Sequence, residues 1–342
     1  MRICYYKKRG IRHTFLYVLI SILILRTKKI LINPKYKKSL KTFLFILVLL
    51  IIFIIEYYYI NNFGFKYIHI KNYLNINNND SFFNYFITDN ITLVTGYFRI
   101  KSKHSLKQYY EWIKNFLQIN RSMIFFIDKS FYKKIIYKRP KEFRNKTIWI
   151  LTSIEDFYSY KHFYEDFKLT HEIDIEKKIH NTKMYLIWAE KSNFLKIGSL
   201  KNYFNSKCLY WVDVGSFRDK KKIQKYKNNW PSFKKCNEDG RVIMNQIKEF
   251  SLSKIDEIKN FNNTAHLELQ KNYNVDGSLF GGQINYNIKF CELYYNTIKL
   301  FLNKKIFIGK DQNLYTYIAF LHSDIVKLVY SGIWFYLQKY LS

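Results

Sequence analysis

Tyr210-Trp211-Val212-Asp213-Val214-Gly215 is an apolar run that ends in a carboxylate, with a glycine two residues later. Four β-favouring residues, 209–212 (LYWV), read as a buried strand, and Val-Gly reads as the turn that follows it. A carboxylate at the carboxyl end of such a strand can meet a divalent cation and a diphosphate, because Mg²⁺ and Mn²⁺ favour hard oxygen ligands. It can equally cap the turn and nothing more.

Working outward, short apolar runs alternate with amphipathic stretches. Segments 91–95 (ITLVT), 123–127 (MIFFI) and 147–151 (TIWIL) have the length and β-branching of buried strands. Residues 105–118 space Leu106, Tyr110, Ile113 and Leu117 along one helical face, and 179–194 and 286–302 are also helical in pattern. This alternation predicts an α/β domain over 91–342, with a mostly parallel sheet and flanking helices. Ligands of such sheets bind beyond the carboxyl ends of the strands.

Two further stretches stand out. Gly277-Ser278-Leu279-Phe280-Gly281-Gly282 precedes a helix and reads as a loop whose paired glycines let backbone approach a ligand. The plain alternative is an ordinary loop and helix start. Gly309-Lys310-Asp311-Gln312 opens a helix running to Leu321. Asp311 suits the positive end of the helix dipole, either as a cap or as a carboxylate that activates an acceptor hydroxyl.

In order, TLVTGYF, LIWAEK, YWVDVGSFRD, GSLFGGQ and IGKDQ resemble the HtrL/YibB family of putative glycosyltransferases, over roughly 91–330. The same order of features is similar to glycogenin-type transferases with the GT-A fold. The resemblance implies a nucleotide-sugar donor and a glycan, protein or lipid acceptor. It implies Asp213 as a ligand of a divalent cation (Mn or Mg). Thr95, Gly96 and Tyr97 would lie by the nucleotide, Gly281 and Gly282 by the donor sugar, and Asp311 and Gln312 by the sugar or acceptor. Lys191 and Arg218 would neutralise the diphosphate. Gly215 departs from the Asp-x-Asp pattern, which leaves Asp213 short of ligands; Asp219 and His322 are the candidates to complete the set. A non-enzymatic, membrane-tethered binding protein on the same fold is the alternative.

The amino-terminal part carries a different signal. Residues 42–60 hold the unbroken apolar run TFLFILVLLIIFII and a tyrosine cluster, long enough for one membrane-spanning signal anchor. Bases crowd its amino-terminal side, so the positive-inside rule predicts a type II protein with a lumenal domain, in the Golgi or endoplasmic reticulum. Residues 1–41 would form a basic cytosolic segment, with the shorter run 15–25 as an interfacial helix, and 61–90 a stem. Five glycosylation sequons follow, at Asn79, Asn90, Asn120, Asn145 and Asn262.

The net charge is +31, and lysines outnumber arginines 47 to 10. That balance, with no nucleic-acid-binding motif, argues against nucleic acid as partner and for acidic lipid or phosphorylated substrate. Of four cysteines, Cys208 and Cys236 can form a bridge in an oxidising lumen; three buried free thiols are the alternative.

Overall fold

The computed structural model describes residues 88–102, 104–228, 230–249 and 275–342. The expected anchor at 42–60, the run 15–25 and nearly all of the stem lie outside the described residues. No helix among the described residues is long and apolar enough to cross a membrane.

In chain order the elements are β1 (Ile91–Tyr97), α1 (Leu106–Phe116), β2 (Ser122–Ile127), α2 (Lys129–Ile135), β3 (Thr147–Leu151), α3 (Tyr158–Thr170) and α4 (Thr182–Lys201). There follow β4 (Cys208–Val212), α5 (Lys220–Tyr226), α6 (Phe233–Glu238), β5 (Val242–Gln246), β6 (Val275–Gln283), α7 (Ile284–Asn303), α8 (Asp311–Leu321) and β7 (Val326–Tyr330). Local chemistry sets several boundaries. Ser105 and Gln108 form a reciprocal capping box at the start of α1. Asn181 accepts from the Met184 N–H at the start of α4, and Asn202, with φ 38°, closes its other end.

The seven strands lie in the order β3-β2-β1-β4-β6-β5-β7. Pairing is parallel throughout β3, β2, β1 and β4 and between β5 and β7. β6 alone runs the other way, antiparallel to both β4 and β5. The sheet is therefore mixed α/β and mostly parallel. Successive side chains leave opposite faces. Val94, Ile124, Phe126, Leu209 and Trp211 enter one core with Phe163, Phe194, Tyr294 and Leu314 from α3, α4, α7 and α8. Leu93, Met123, Phe125, Tyr210 and Val212 enter the other with Ile113, Phe131 and Ile223 from α1, α2 and α5. Cys208 and Cys236 form a disulfide between β4 and α6, while Cys291 is free and buried.

Two expectations are corrected. Residues 277–282 are not a loop but the interior of β6, and β1 runs two residues past the expected 91–95, so that Gly96 and Tyr97 belong to the strand. The glycines of β6 serve close backbone approach. A Cβ on Gly281 would lie 2.2 Å from the Leu209 carbonyl oxygen, and its φ of +148° excludes most side chains. A Cβ on Gly282 would lie 2.4 Å from the Arg241 carbonyl oxygen. Gly281→Ala should therefore cost on the order of 3 kcal/mol in a urea melt. At Gly215 a Cβ would meet only the Trp112 ring, at 3.5 Å; Gly215→Ala should change stability by about 0.5 kcal/mol or less. Equal stability of Gly281→Ala and the parent would contradict the packing described for β6.

Candidate functional site

Because β6 is reversed, its amino end meets the carboxyl end of β4. The Asp213 N–H donates to the Ser278 carbonyl at 2.7 Å. Asp213 is two residues after Trp211 and so faces the same side of the sheet, toward α4 and α8. α4 supplies Lys191 there, and α8 begins with Asp311.

The Lys191 ammonium is the centre of the arrangement. It donates to Asp213 Oδ2 at 3.2 Å and to the Gly277 carbonyl at 3.2 Å. Its Nζ lies 2.9 Å from Asp311 Oδ2, an ion pair outside good hydrogen-bond alignment. At an effective dielectric of about 20, each contact near 3 Å is worth about 5 kcal/mol before desolvation. Two such contacts decide the outcome: burial works against the ammonium, but Asp213 and Asp311 overcome it, and the Lys191 pKa stands above its ordinary value. Burial raises the Asp213 carboxyl to about 6, with Lys191 pulling it back and Asp311 adding to the rise. Asp213 keeps 32% side-chain exposure against 6% for both Lys191 and Asp311, so its outer edge meets water and solvent moderates that rise. Asp311 is also raised, burial outweighing the nearby ammonium.

Neighbours fix these groups in place. The Trp211 indole N–H donates to Asp213 Oδ1 at 2.8 Å. The Gln312 N–H donates to Asp311 Oδ1 at 2.9 Å. Lys310, buried beside it, is ion-paired with Glu176 and holds the start of α8. Buried Asp276 accepts from the Ser278 and Phe335 N–H groups. Phe335 in turn flanks Arg218, whose guanidinium lies 5.3 Å from that ring and 4.6 Å from the Trp112 ring. The Arg218 Nε donates to the Gly215 carbonyl at 2.9 Å. Arg218 is thus an exposed cation pinned at the rim, five residues beyond Asp213. Buried Ser278 Oγ has no hydrogen-bond partner, an uncommon state for a buried hydroxyl.

The sequence-predicted residues divide. Asp213, Lys191 and Asp311 come together, with Gly215, Arg218 and Gln312 adjoining them. Val94 of β1 is opposite Trp211, so counting on brings Gly96 level with Asp213 on the neighbouring strand. Thr95 is fully buried and donates to the Val212 carbonyl at 2.6 Å. Tyr97 is buried against Tyr109 and Phe131. Gly281 and Gly282 face Tyr210 and Leu209 across β4. They lie four and five residues along β6 from Gly277, about 14 to 17 Å, and so away from the carboxylates. Asp219 caps α5 by accepting from the Lys221 N–H. His322 closes the far end of α8, eleven residues past Asp311 and about 16 Å along the helix. Sequence reasoning missed Trp211 as a donor, the Gly277 carbonyl, Asp276, and the rings around Arg218. An indole two residues before a carboxylate on a strand was the one signal available.

The resemblance implied a divalent cation at Asp213, and the donor set does not fit one. No group of three or more Asp, Glu, His or Cys among the described residues could hold a metal. The nearest carboxylate pair already shares an ammonium.

No family model matches the chain, and no curated protein matches it in sequence. One solved structure similar to it is core-mannan synthase A from Aspergillus fumigatus, in its Mn/GDP form, at 12% identity and a TM-score of 0.38. The match covers 70% of this chain and 72% of that one. A likeness of that size says nothing by itself about activity.

Lys191→Met leaves two carboxylates buried side by side. At pH 7 it should cost about 3–5 kcal/mol in a denaturant melt. The folded form of this variant holds a proton that the unfolded chain releases near pH 4, at about the ordinary carboxylate value. Its stability is thus greatest in acid and is lost as pH rises, so the deficit should shrink toward pH 5. A deficit independent of pH would refute the charge account.

Proposed function

We propose that the chain is a membrane-anchored glycosyltransferase that moves a sugar from a nucleotide-sugar donor to an acceptor hydroxyl. The observation that carries the reading is the partly exposed Asp213 carboxylate at the rim of the sheet, held by Trp211 and Lys191, with the pinned Arg218 close by in the chain. A carboxylate suited to act as base and a cation suited to face a leaving diphosphate are both present.

In this reading the acceptor oxygen bonds to the anomeric carbon, and its proton passes to the Asp213 carboxylate. The bond from that carbon to the diphosphate oxygen breaks, with the electron pair leaving on the diphosphate. Arg218 faces that charge, and its aromatic sandwich limits the side-chain entropy lost on binding. A carboxyl group raised to about 6 is suited to take a proton near neutral pH. Asp311 and Lys191 form the frame that holds Asp213, and Gln312 fixes Asp311 through its backbone. The HtrL/YibB resemblance, the type II orientation and the anchor at 42–60 belong to the same proposal. The Cys208–Cys236 disulfide supports an oxidising lumenal compartment. Asn90 and Asn145 are exposed, as glycan acceptors need to be.

The pairing of Asp213 and Asp311 with the Lys191 ammonium also favours a second reading, a donor-binding protein without turnover. Thermal shift against a panel of UDP- and GDP-sugars separates the outcomes: a donor at a hundred times its Kd should stabilise the chain by about 2.7 kcal/mol. Asp213→Asn should then lower transfer by about a hundredfold or more while donor binding persists. Arg218→Ala should weaken donor binding about tenfold. Binding without turnover in the parent would select the second reading, and no stabilisation by any donor would remove both.

A further inference from the structure

The cation between Asp213 and Asp311 is part of the chain. We propose that Lys191 permanently occupies the position a divalent metal would take, so that the site works without one. The inference rests on the glycosyltransferase reading for its consequence, but its geometry stands apart from that reading.

Three observations carry it. First, the ammonium has three N–H groups, and three oxygens surround it: Asp213 Oδ2, the Gly277 carbonyl and Asp311 Oδ2. A Mg²⁺ or Mn²⁺ ion would need those same oxygens at about 2.0–2.2 Å. It would then lie within a few ångströms of a like charge that has no route outward, since the Lys191 side chain is only 6% exposed on a buried helix face. Second, Asp311 Oδ2, the oxygen that faces Lys191, is buried, and a Cβ on Gly277 would be 2.9 Å from it, so the β6 backbone passes close beside that oxygen. Third, Gly215 is not a glycine by steric necessity. A Cβ there meets nothing nearer than the Trp112 ring at 3.5 Å, so crowding at the Cβ does not account for the missing second carboxylate. The second carboxylate is thus absent without crowding at its Cβ, and an ammonium stands among the oxygens that remain. With no metal to meet the diphosphate, Arg218 is the residue placed to do so.

The test uses the detergent-solubilised full chain. Mn²⁺ is titrated into metal-stripped protein and followed by electron paramagnetic resonance of the free ion, with no donor present. The expected result is no saturable Mn²⁺ site in the parent and a new one in Lys191→Met, where the carboxylates and the Gly277 carbonyl are released. In parallel, the Kd for the best-stabilising nucleotide-sugar is measured in EDTA and in excess Mn²⁺, and should agree within about twofold. A saturable Mn²⁺ site in the parent that Asp213→Asn abolishes would overturn the proposal. Donor binding that disappears in EDTA and returns with Mn²⁺ would do the same, while leaving the transferase reading intact. A folded Lys191→Met that stays silent to Mn²⁺ would also count against it. If Lys191→Met does not fold, the titration of the parent decides alone. If no nucleotide-sugar binds at all, the transferase reading fails, and the Mn²⁺ titration still decides the occupancy of the site.

Discussion

An ammonium buried among carboxylates is stable only while its partners stay close, and here the ammonium and its two carboxylates come from three separate segments of the chain. Lys191 is in the middle of α4, Asp213 just past β4, and Asp311 at the first turn of α8. None of the three could be buried alone at acceptable cost. Their mutual attraction therefore ties the register of α4 against the sheet to the docking of α8. The fold holds the cluster together, and the cluster in turn penalises any slip of helix against sheet.

The reversed strand makes that meeting possible. Were β6 parallel to β4, its amino end would lie at the opposite rim, and the Gly277 carbonyl could not reach Lys191. Antiparallel pairing instead sets Val212 opposite Leu279 and delivers the Asp276–Ser278 segment to the carboxylates. The glycines follow from this placement. Gly281 and Gly282 let β6 lie between the β4 and β5 backbones, and Gly277 leaves room for Asp311. One strand thus has glycines for packing at one end and for the site at the other.

That division explains what could be read in the sequence. The β–α alternation, the four parallel strands around Asp213 and the helix beginning at Asp311 were legible, because each rests on local periodicity or an end signal. β6 was not. A run of Val-Asp-Gly-Ser-Leu-Phe-Gly-Gly-Gln has the composition of a loop, and only contacts with β4 and β5 make it a strand. Thr95 was misjudged for a related reason: a polar residue at a strand's end looks available, yet its hydroxyl is spent on the Val212 carbonyl. Lys191 was visible as a residue but not in its role. Nothing local to α4, which carries lysines at 183, 191, 196 and 201, tells which of them faces water, a phosphate or two carboxylates.

Arginine and lysine divide the labour of positive charge by their chemistry. The compact ammonium of Lys191 fits among three oxygens where a planar guanidinium would not. The flat guanidinium of Arg218 can be gripped between the Trp112 and Phe335 rings and still present N–H groups outward, which an ammonium could not do as well. Asp276 links the two sites, since it fixes the backbone of Phe335 and lies near enough to Asp311 to disfavour its ionised form. The cation of Lys191 is thus buried and saturated, and that of Arg218 is exposed and clamped. A single basic side chain could not do both, because saturating it with carboxylates would remove the charge open to an anionic ligand.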